Sequence, residues 1–390
     1  MPHSWIVAGC RTPIGKLLGK LASVPAPKLA ALTIAESLRR CGVASAQVDE
    51  VILGEVLQAG VGQAPARQAA LAAGIPASVP ALTINKVCGS GLKAVMLADQ
   101  AIRAGDARVI VAGGMESMSR APHLLPNSRG GIKFGHGQFI DSLLHDGLWC
   151  ACESVGMGTL ADATAAAGGV SRADQDAYSL ESHRRAVAAI ESDTFRDEIV
   201  PVPIERGEPV ESDEGPRRDA TLETLTKLRP AFDKSGTATA GNASQISDGA
   251  ASVVVTDEGT ARTVTSPWKA RIVATATSGR EPKDLFLAPI DAVRKVLDKA
   301  QLRTGDIDLF EINEAFASQV LACQRELNIP LDKLNIHGGA IALGHPIGAS
   351  GARTLVTLLH ALARRNLRRG LVSLCLGGGN AVAMVVELVG

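Results

Sequence analysis

Apolar runs and polar breaks alternate regularly along the first part of the chain. Trp5 to Ala8 is a short apolar run that predicts a strand, and Arg11 to Gly15 reads as the turn after it. Leu29, Leu32 and Leu38 recur at near-helical spacing between Pro27 and Arg40. Proline near the first position, Arg39-Arg40 in the last turn and Gly42 beyond them complete the helix signature. Val51 to Val56 predicts a strand, Gln63 to Ala73 an alanine-rich helix stopped at Gly74, and Ala81 to Ile84 a further strand. After Cys88, the residues Leu92, Val95, Met96, Ala98 and Ile102 mark the apolar side of a helix that runs to about Ala104, before Gly105. Val109 to Ala112 is a strand of buried type ending in Gly113-Gly114. This alternation predicts a layered α/β sheet.

Between Met118 and Gln245 the rhythm weakens and Pro, Gly, Asp and Arg rise. Two helical pieces stand out, Met157 to Ala167 and Arg172 to Ser192, and Ser171 with Asp174 three residues on resembles a capping box. So long a stretch with two helices reads as an insertion, not a linker. After Ile246 the α/β rhythm returns, with strands at Ser252 to Thr256 and Ala270 to Ala276 and a helix at Ile290 to Ala300. The second part repeats the first. Val48 to Glu55 aligns with Ile307 to Glu314, Ser90-Gly91 with Ser350-Gly351, and Val109 to Gly114 with Leu371 to Gly378. The expected organisation is a duplicated α/β unit: residues 1–117 plus 246–265, an insertion at 118–245, and a second copy at 266–390. Such a duplication brings corresponding loop ends together at the middle, where a site can form.

Composition narrows the function. With 390 residues and 46% apolar content the chain can bury a large core. Lys+Arg and Asp+Glu are both 40, so no global charge favours nucleic acid or an anionic membrane, and 3% aromatics disfavours base stacking. Seven scattered cysteines form neither a disulfide framework nor a CxxC pair, which predicts a reducing compartment. Cys150 and Cys152 near His145 fit no zinc spacing. The N-terminus lacks a basic region followed by an apolar run, and no run of about 18 apolar residues occurs. A cytoplasmic location without a membrane span is expected.

Candidate chemistry gathers in a few stretches. Cys88 stands at a strand-to-helix junction with Gly89-Ser90-Gly91. There the positive end of a helix favours thiolate over thiol, although alone the stretch fits a buried structural cysteine equally well. Asn313-Glu314-Ala315-Phe316 follows a strand, where Asn also serves as an ordinary helix cap. His345 sits in a loop punctuated by Gly338, Gly339, Gly344 and Gly348. Cys375 ends a strand before Gly377-Gly378-Gly379, and no Gly-Lys-Ser/Thr follows to make a phosphate loop.

Together these stretches resemble the thiolase family, most closely its biosynthetic branch. The matching segments are NKVCGSGLKAV (Asn85 to Val95), GGMESMS (Gly113 to Ser119), LRPAF (Leu228 to Phe232), AGNAS (Ala240 to Ser244), NEAFA (Asn313 to Ala317), GGAIALGHPIGASGAR (Gly338 to Arg353) and CLGGGNA (Cys375 to Ala381). The resemblance spans nearly the whole chain. It implies a five-layer core and reversible Claisen condensation of two acetyl-CoA molecules to acetoacetyl-CoA and CoA through an acetyl-cysteine. It implies Cys88 as nucleophile, His345 as its base, and Cys375 as the thiol that takes the methyl proton. Water on Asn313, together with His345, would stabilise the enolate, and the N–H groups of Cys88 and Gly377 the tetrahedral oxyanion. It further implies that the insertion covers the site and binds CoA, with contacts from Ser244, Ala243, Met157, Phe316 and, by a loose alignment, Arg217. Arg217 reads equally as half of a solvated basic pair with Arg218. No cofactor beyond the CoA thioester substrate is implied. Pro122 to Asp141 resembles a tetramerisation loop, so a dimer or dimer of dimers is expected. A degradative enzyme for longer 3-ketoacyl-CoA chains, or a non-catalytic acyl-CoA or lipid binder, are the alternatives. Three positions depart from the family pattern: Gly156 where His is common, His337 where Asn is common, and Ala381 where Gly is usual.

Overall fold

The computed structural model describes residues 3–389, so Met1, Pro2 and Gly390 of the expected units lie outside the described residues. The first half contains β1 (Trp5–Arg11), α1 (Ala26–Cys41), β2 (Glu50–Gly54), α2 (Pro65–Ala72), β3 (Ala81–Ile84), α3 (Ser90–Ala104) and β4 (Val109–Ser117). Helices α4 (Met157–Ala167) and α5 (Arg172–Glu191) come next, then β5 (Ser247–Thr256). The second half contains β6 (Lys269–Gly279), α6 (Ala288–Ala300), β7 (Leu309–Ile312), α7 (Ala317–Leu327), α8 (Ser350–Arg364), β8 (Arg369–Leu376) and β9 (Asn380–Val389).

Nine of these strands run in the order β7-β8-β9-β6-β1-β5-β4-β2-β3, and a short strand at Gly15–Lys16 pairs with β5 as the tenth. The duplication is visible in the pairing. In one half β2 is parallel to β4 and β3; in the other β7 is parallel to β8, and Phe310 bridges Leu334 in parallel where β3 has its counterpart. The two halves meet where β1 pairs antiparallel with β6 at Trp5–Arg271 and Ile6–Ala270.

Three cores separate five layers. Residues of α1 and α2 cover one face of the first half-sheet, and residues of α6 and α7 one face of the second. Between the half-sheets lie α3 and α8, whose Leu92, Val95, Leu355 and Leu359 pack together with strand residues of both halves. Helix α8 is buried along almost its whole length, its polar Ser350, Arg353, Thr354 and Thr357 included. Gly91 and Gly351 let α3 and α8 cross closely: a Cβ on Gly91 would lie 2.8 Å from the Ala352 nitrogen.

Strand β4 runs five residues past the expected Ala112, because every residue from Val109 to Ser117 pairs with β5. The glycines that look like a strand end are there for close approach. A Cβ on Gly113 would lie 2.7 Å from Ser252 Cα, and one on Gly114 2.9 Å from the Gly348 carbonyl carbon. The insertion between β4 and β5 is tied to the core at several points. Ser171 and Asp174 form the capping box of α5. Arg11 of β1 holds Glu198 at 2.5 Å and Asp213 at 2.7 Å. Ser318 of α7 donates to the Ala161 carbonyl at 3.1 Å.

Candidate active site

The turn between β3 and α3 is held by its own polar groups. Asn85 Oδ1 accepts from the Val87 amide at 2.9 Å, and Ser90 Oγ accepts from the Lys86 amide at 2.8 Å while donating to the Val87 carbonyl at 2.7 Å. Val87 has φ +47°, a left-handed conformation that costs a β-branched residue about 1–3 kcal/mol. This strained apex presents Cys88 at the start of α3. Gly54 must be glycine beneath it, since a Cβ there would lie 2.8 Å from the Gly91 nitrogen.

His345 comes from the loop before α8. Its amide donates to the Gln245 carbonyl at 2.9 Å, and its Nδ1 lies 2.6 Å from Ser350 Oγ. That hydroxyl donates to the Pro346 carbonyl at 2.9 Å, so it accepts from Nδ1–H. The other ring nitrogen, Nε2, is buried, bears the lone pair and has no protein partner. The loop is fixed from the other half of the molecule. Glu116 at the end of β4 accepts from the amides of Gly348 (2.9 Å), Val56 (3.1 Å) and Leu57 (3.1 Å). Glu314 does the same from the second half, accepting from Tyr178 at 2.9 Å, Ser182 at 2.7 Å and the Ile341 amide at 3.1 Å.

Cys375 ends β8. Cys88, His345, Cys375 and Gly377 all line one cavity of about 570 Å³ between the core and the insertion. The two cysteines come from opposite halves, and a thiolate formed on Cys88 adds to the rise at Cys375. Both thiols are pushed up by burial, Cys88 to about 12 and Cys375 well above its ordinary value. Backbone hydrogen bonds from the Cys88 amide and from Gly377 oppose the rise at Cys88, and a nearby Glu116 charge adds to it. This corrects the expectation that the helix end favours thiolate: desolvation outweighs the helix. His345 is lowered to about 3 by burial and then by the Arg353 charge.

Met157, Ala243, Ser244 and Phe316 line the same cavity, and Ala243 and Phe316 pair as an isolated bridge. Asn313 is buried and is not among the residues that line the cavity, although Ala315 and Phe316 two and three residues on are; neither of its side-chain atoms is bonded to protein. A buried amide of this kind calls for a water partner. Arg217 is exposed and does not line the cavity; its amide donates to His183 Nδ1 at 3.1 Å. Sequence reasoning missed Gln245, Ser350 and Glu116, which position the loops, and Leu148 and Phe286 of the apolar wall. The first three lie inside or beside matched segments, but nothing in a segment says which side chain turns back to hold the backbone.

Two of the three departures are accommodated without cost. Gly156 caps α4 and lines the cavity, leaving open space toward Phe232, 3.8 Å from where its Cβ would be. Ala381 pairs with Cys375 across the β8–β9 hairpin, and its methyl packs into the core against the outer helices, so it does not crowd the cysteine loop. His337 is lowered to about 4 by burial and packs edge-on to Phe195, but its Nε2 is buried without a hydrogen-bond partner in the protein, so its fit is incomplete.

Residues 4–259 match the family described as "Thiolase, N-terminal domain", and residues 266–388 match "Thiolase, C-terminal domain". The chain is 51% identical to an acetyl-CoA acetyltransferase of Pseudomonas aeruginosa over 385 residues, 98% of each protein. It is 50% identical to an acetyl-CoA acetyltransferase of Escherichia coli over 391 residues, 99% of each. A crystal structure of the Bacillus anthracis acetyl-CoA acetyltransferase superposes with a TM-score of 0.96 at 42% identity, covering 100% of this chain and 99% of that one. With both halves matched, and its cysteines brought from those halves to one cavity, this chain belongs to the thiolase family.

Proposed function

We propose that the chain catalyses the reversible Claisen condensation of two acetyl-CoA molecules to acetoacetyl-CoA and CoA. The observation that carries this reading is the convergence of Cys88, Cys375 and the unpartnered His345 Nε2 on one apolar cavity. Cys88 Sγ attacks the acyl carbon as Nε2 takes its proton. The tetrahedral oxyanion faces the N–H groups of Cys88 and Gly377, a donor of this type contributing about 3 kcal/mol. The departing CoA thiolate takes the Cys375 proton and leaves as thiol. The resulting Cys375 thiolate then removes a methyl proton from the second acetyl-CoA. The enolate oxygen meets the proton still on His345 and a water on Asn313. Carbon–carbon bond formation expels the Cys88 thiolate, which takes the His345 proton back. All protons balance within the protein, and the chemistry needs no cofactor.

Ser244, Ala243, Met157 and Phe316 are assigned to the pantetheine and acyl path, and the exposed Arg217 to the nucleotide end of CoA. Two thiols that must stay reduced suit a cytoplasmic setting. The segment Pro122 to Asp141 exposes Ile132, Phe134 and Phe139 beside a hairpin of His123–Leu124 with Ile140–Asp141, which supports its assignment as an oligomer contact. The test is intact-protein mass spectrometry after mixing with acetyl-CoA. Wild type and Cys375→Ser gain one acetyl group of ~42 Da, Cys88→Ala gains none, and Cys375→Ser turns over at least ~10³-fold more slowly. An adduct that survives Cys88→Ala, or rapid turnover by Cys375→Ser, defeats the assignment.

A further inference from the structure

The segment that carries His345 is built of turns, not helix or strand, so its buried carbonyls need donors from outside it. Among the described residues, the carbonyls of Ile341 and Ala342 take hydrogen bonds only from the side chain of Gln245, whose Nε2 lies 2.9 Å from each. The same nitrogen lies 3.1 Å from the Gly215 carbonyl. Two N–H groups are thus shared among three carbonyls, and the third of these belongs to the insertion. The main chain of Gln245 grips the same turn. Its amide donates to the Ala340 carbonyl at 3.3 Å, and its carbonyl accepts from the His345 amide at 2.9 Å. One residue therefore holds the turn at Ala340, Ile341, Ala342 and His345, and reaches across to Gly215 as well.

Gly215 lies where residues 213–217 cross this turn. The two backbones touch there: a Cβ on Gly215 would clash with the Ala342 carbonyl oxygen and lie 2.9 Å from that of Leu343. On one side of Gly215, Asp213 is fixed by Arg11 at 2.7 Å and by the Ile14 amide at 2.8 Å. On the other, the Arg217 amide donates to His183 Nδ1 at 3.1 Å. We propose that Gln245 is a positioning residue that joins residues 213–217 of the insertion and the 340–345 turn into one unit, so that a shift of the insertion at Gly215 carries His345 Nε2 away from Cys88. A neutral amide suits this place. It supplies two donors to crowded carbonyls and brings no formal charge to the segment that bears the imidazole. Gly215 itself does not line the cavity, so it acts on the site only by where it holds its neighbours.

The proposal rests on His345 as the base of Cys88, but its first test does not. Hydrogen–deuterium exchange of the full-length protein, read by mass spectrometry, follows peptides covering residues 213–219 and 339–345. Gln245→Met keeps the length of the side chain and removes both N–H groups. In that variant both peptides exchange at least ~10-fold faster, while peptides over β2 and α2 keep wild-type rates. Single-turnover acetylation of Cys88 by acetyl-CoA, read as intact mass on quenched samples, slows by ~10–100-fold. Gly215→Ala, which pushes the insertion off the turn from outside the cavity, slows it by ~10-fold or more. The double variant is no slower than the slower single one, because both break the same joint. In every variant the acetyl-CoA concentration at half-maximal rate moves by less than ~3-fold, which separates misplacement of the base from loss of substrate binding. Wild-type exchange in either peptide of folded Gln245→Met overturns the proposal. So does a Gly215→Ala protein that exchanges faster at 213–219 yet acetylates at the wild-type rate, or a double variant in which the two effects multiply. Should Gln245→Met not fold, Gly215→Ala decides alone. Absence of an acetyl adduct in wild type defeats the catalytic reading instead, and the exchange result then stands by itself.

Discussion

The resting state of the Cys88–His345 pair is open to direct measurement. Burial pushes the thiol to about 12 and holds the imidazole at about 3, so the two lie about nine pH units apart in the unfavourable direction for proton transfer. At ~1.4 kcal/mol per unit, forming thiolate and imidazolium costs on the order of 12 kcal/mol before their mutual attraction is counted. Even at ~4 Å in an effective dielectric of ~20, that attraction returns only about 4 kcal/mol. The free protein therefore holds a neutral thiol beside a neutral imidazole, and the proton moves only as the sulfur attacks an acyl carbon held against the oxyanion donors. The perturbation is pH, with Cys88→Ala as the control. Ultraviolet thiolate absorbance, taken as wild type minus Cys88→Ala, stays flat from roughly pH 5 to pH 9, and alkylation of Cys88 by iodoacetamide rises throughout that range without a plateau. A thiolate step of one equivalent below neutral pH, absent from Cys88→Ala, would refute the reasoning and restore the helix end as the dominant influence.

Two further expectations follow from the packing and the buried charges. Gly114→Ala places a methyl 3.0 Å from Ala349 Cα and 2.9 Å from the Gly348 carbonyl carbon, so the His345 loop must move; stability falls by about 1–3 kcal/mol and kcat by ~10–100-fold, read by thermal melting and steady-state thiolysis, and no change in either contradicts it. Stability against pH has opposing contributions. Burial lowers His345 to about 3 and His183 and His337 to about 4, so stability declines as pH falls below the unfolded value of 6.5. Burial raises Glu55 to about 8, Glu116 to about 7 and Glu311 to about 8; their contribution is complete below the unfolded value of 4.5 and is lost as pH rises through 7 to 8. The two sets offset between 4.5 and 6.5, so the melting temperature peaks in that window and falls on both sides; a steady rise from pH 5 to pH 8 would count against the buried carboxyls.

Much of this architecture is legible because the physics that fixes it is local. Leu29, Leu32 and Leu38 mark the buried face of α1, and Gly42 ends the helix at φ +69°. The repeat of Val48 to Glu55 at Ile307 to Glu314 maps onto β2 and β7 and the residues flanking them, which hold equivalent places in the sheet. What was not legible depends on distant partners. Gly113 and Gly114 look like a strand end, and only the backbones of β5 and the His345 loop show why they sit inside one. The thiol of Cys88 is the sharpest case. Its place at a helix start is readable from Gly89-Ser90-Gly91 and argues for thiolate. Its burial depends on Gly377, Met157 and the rest of a cavity wall gathered from both halves and the insertion. A helix end offers at most a few kcal/mol at short range. Cys88 is half-buried, and desolvation of a thiolate in that apolar cavity still outweighs the helix end, so the sign of the shift belongs to the tertiary structure.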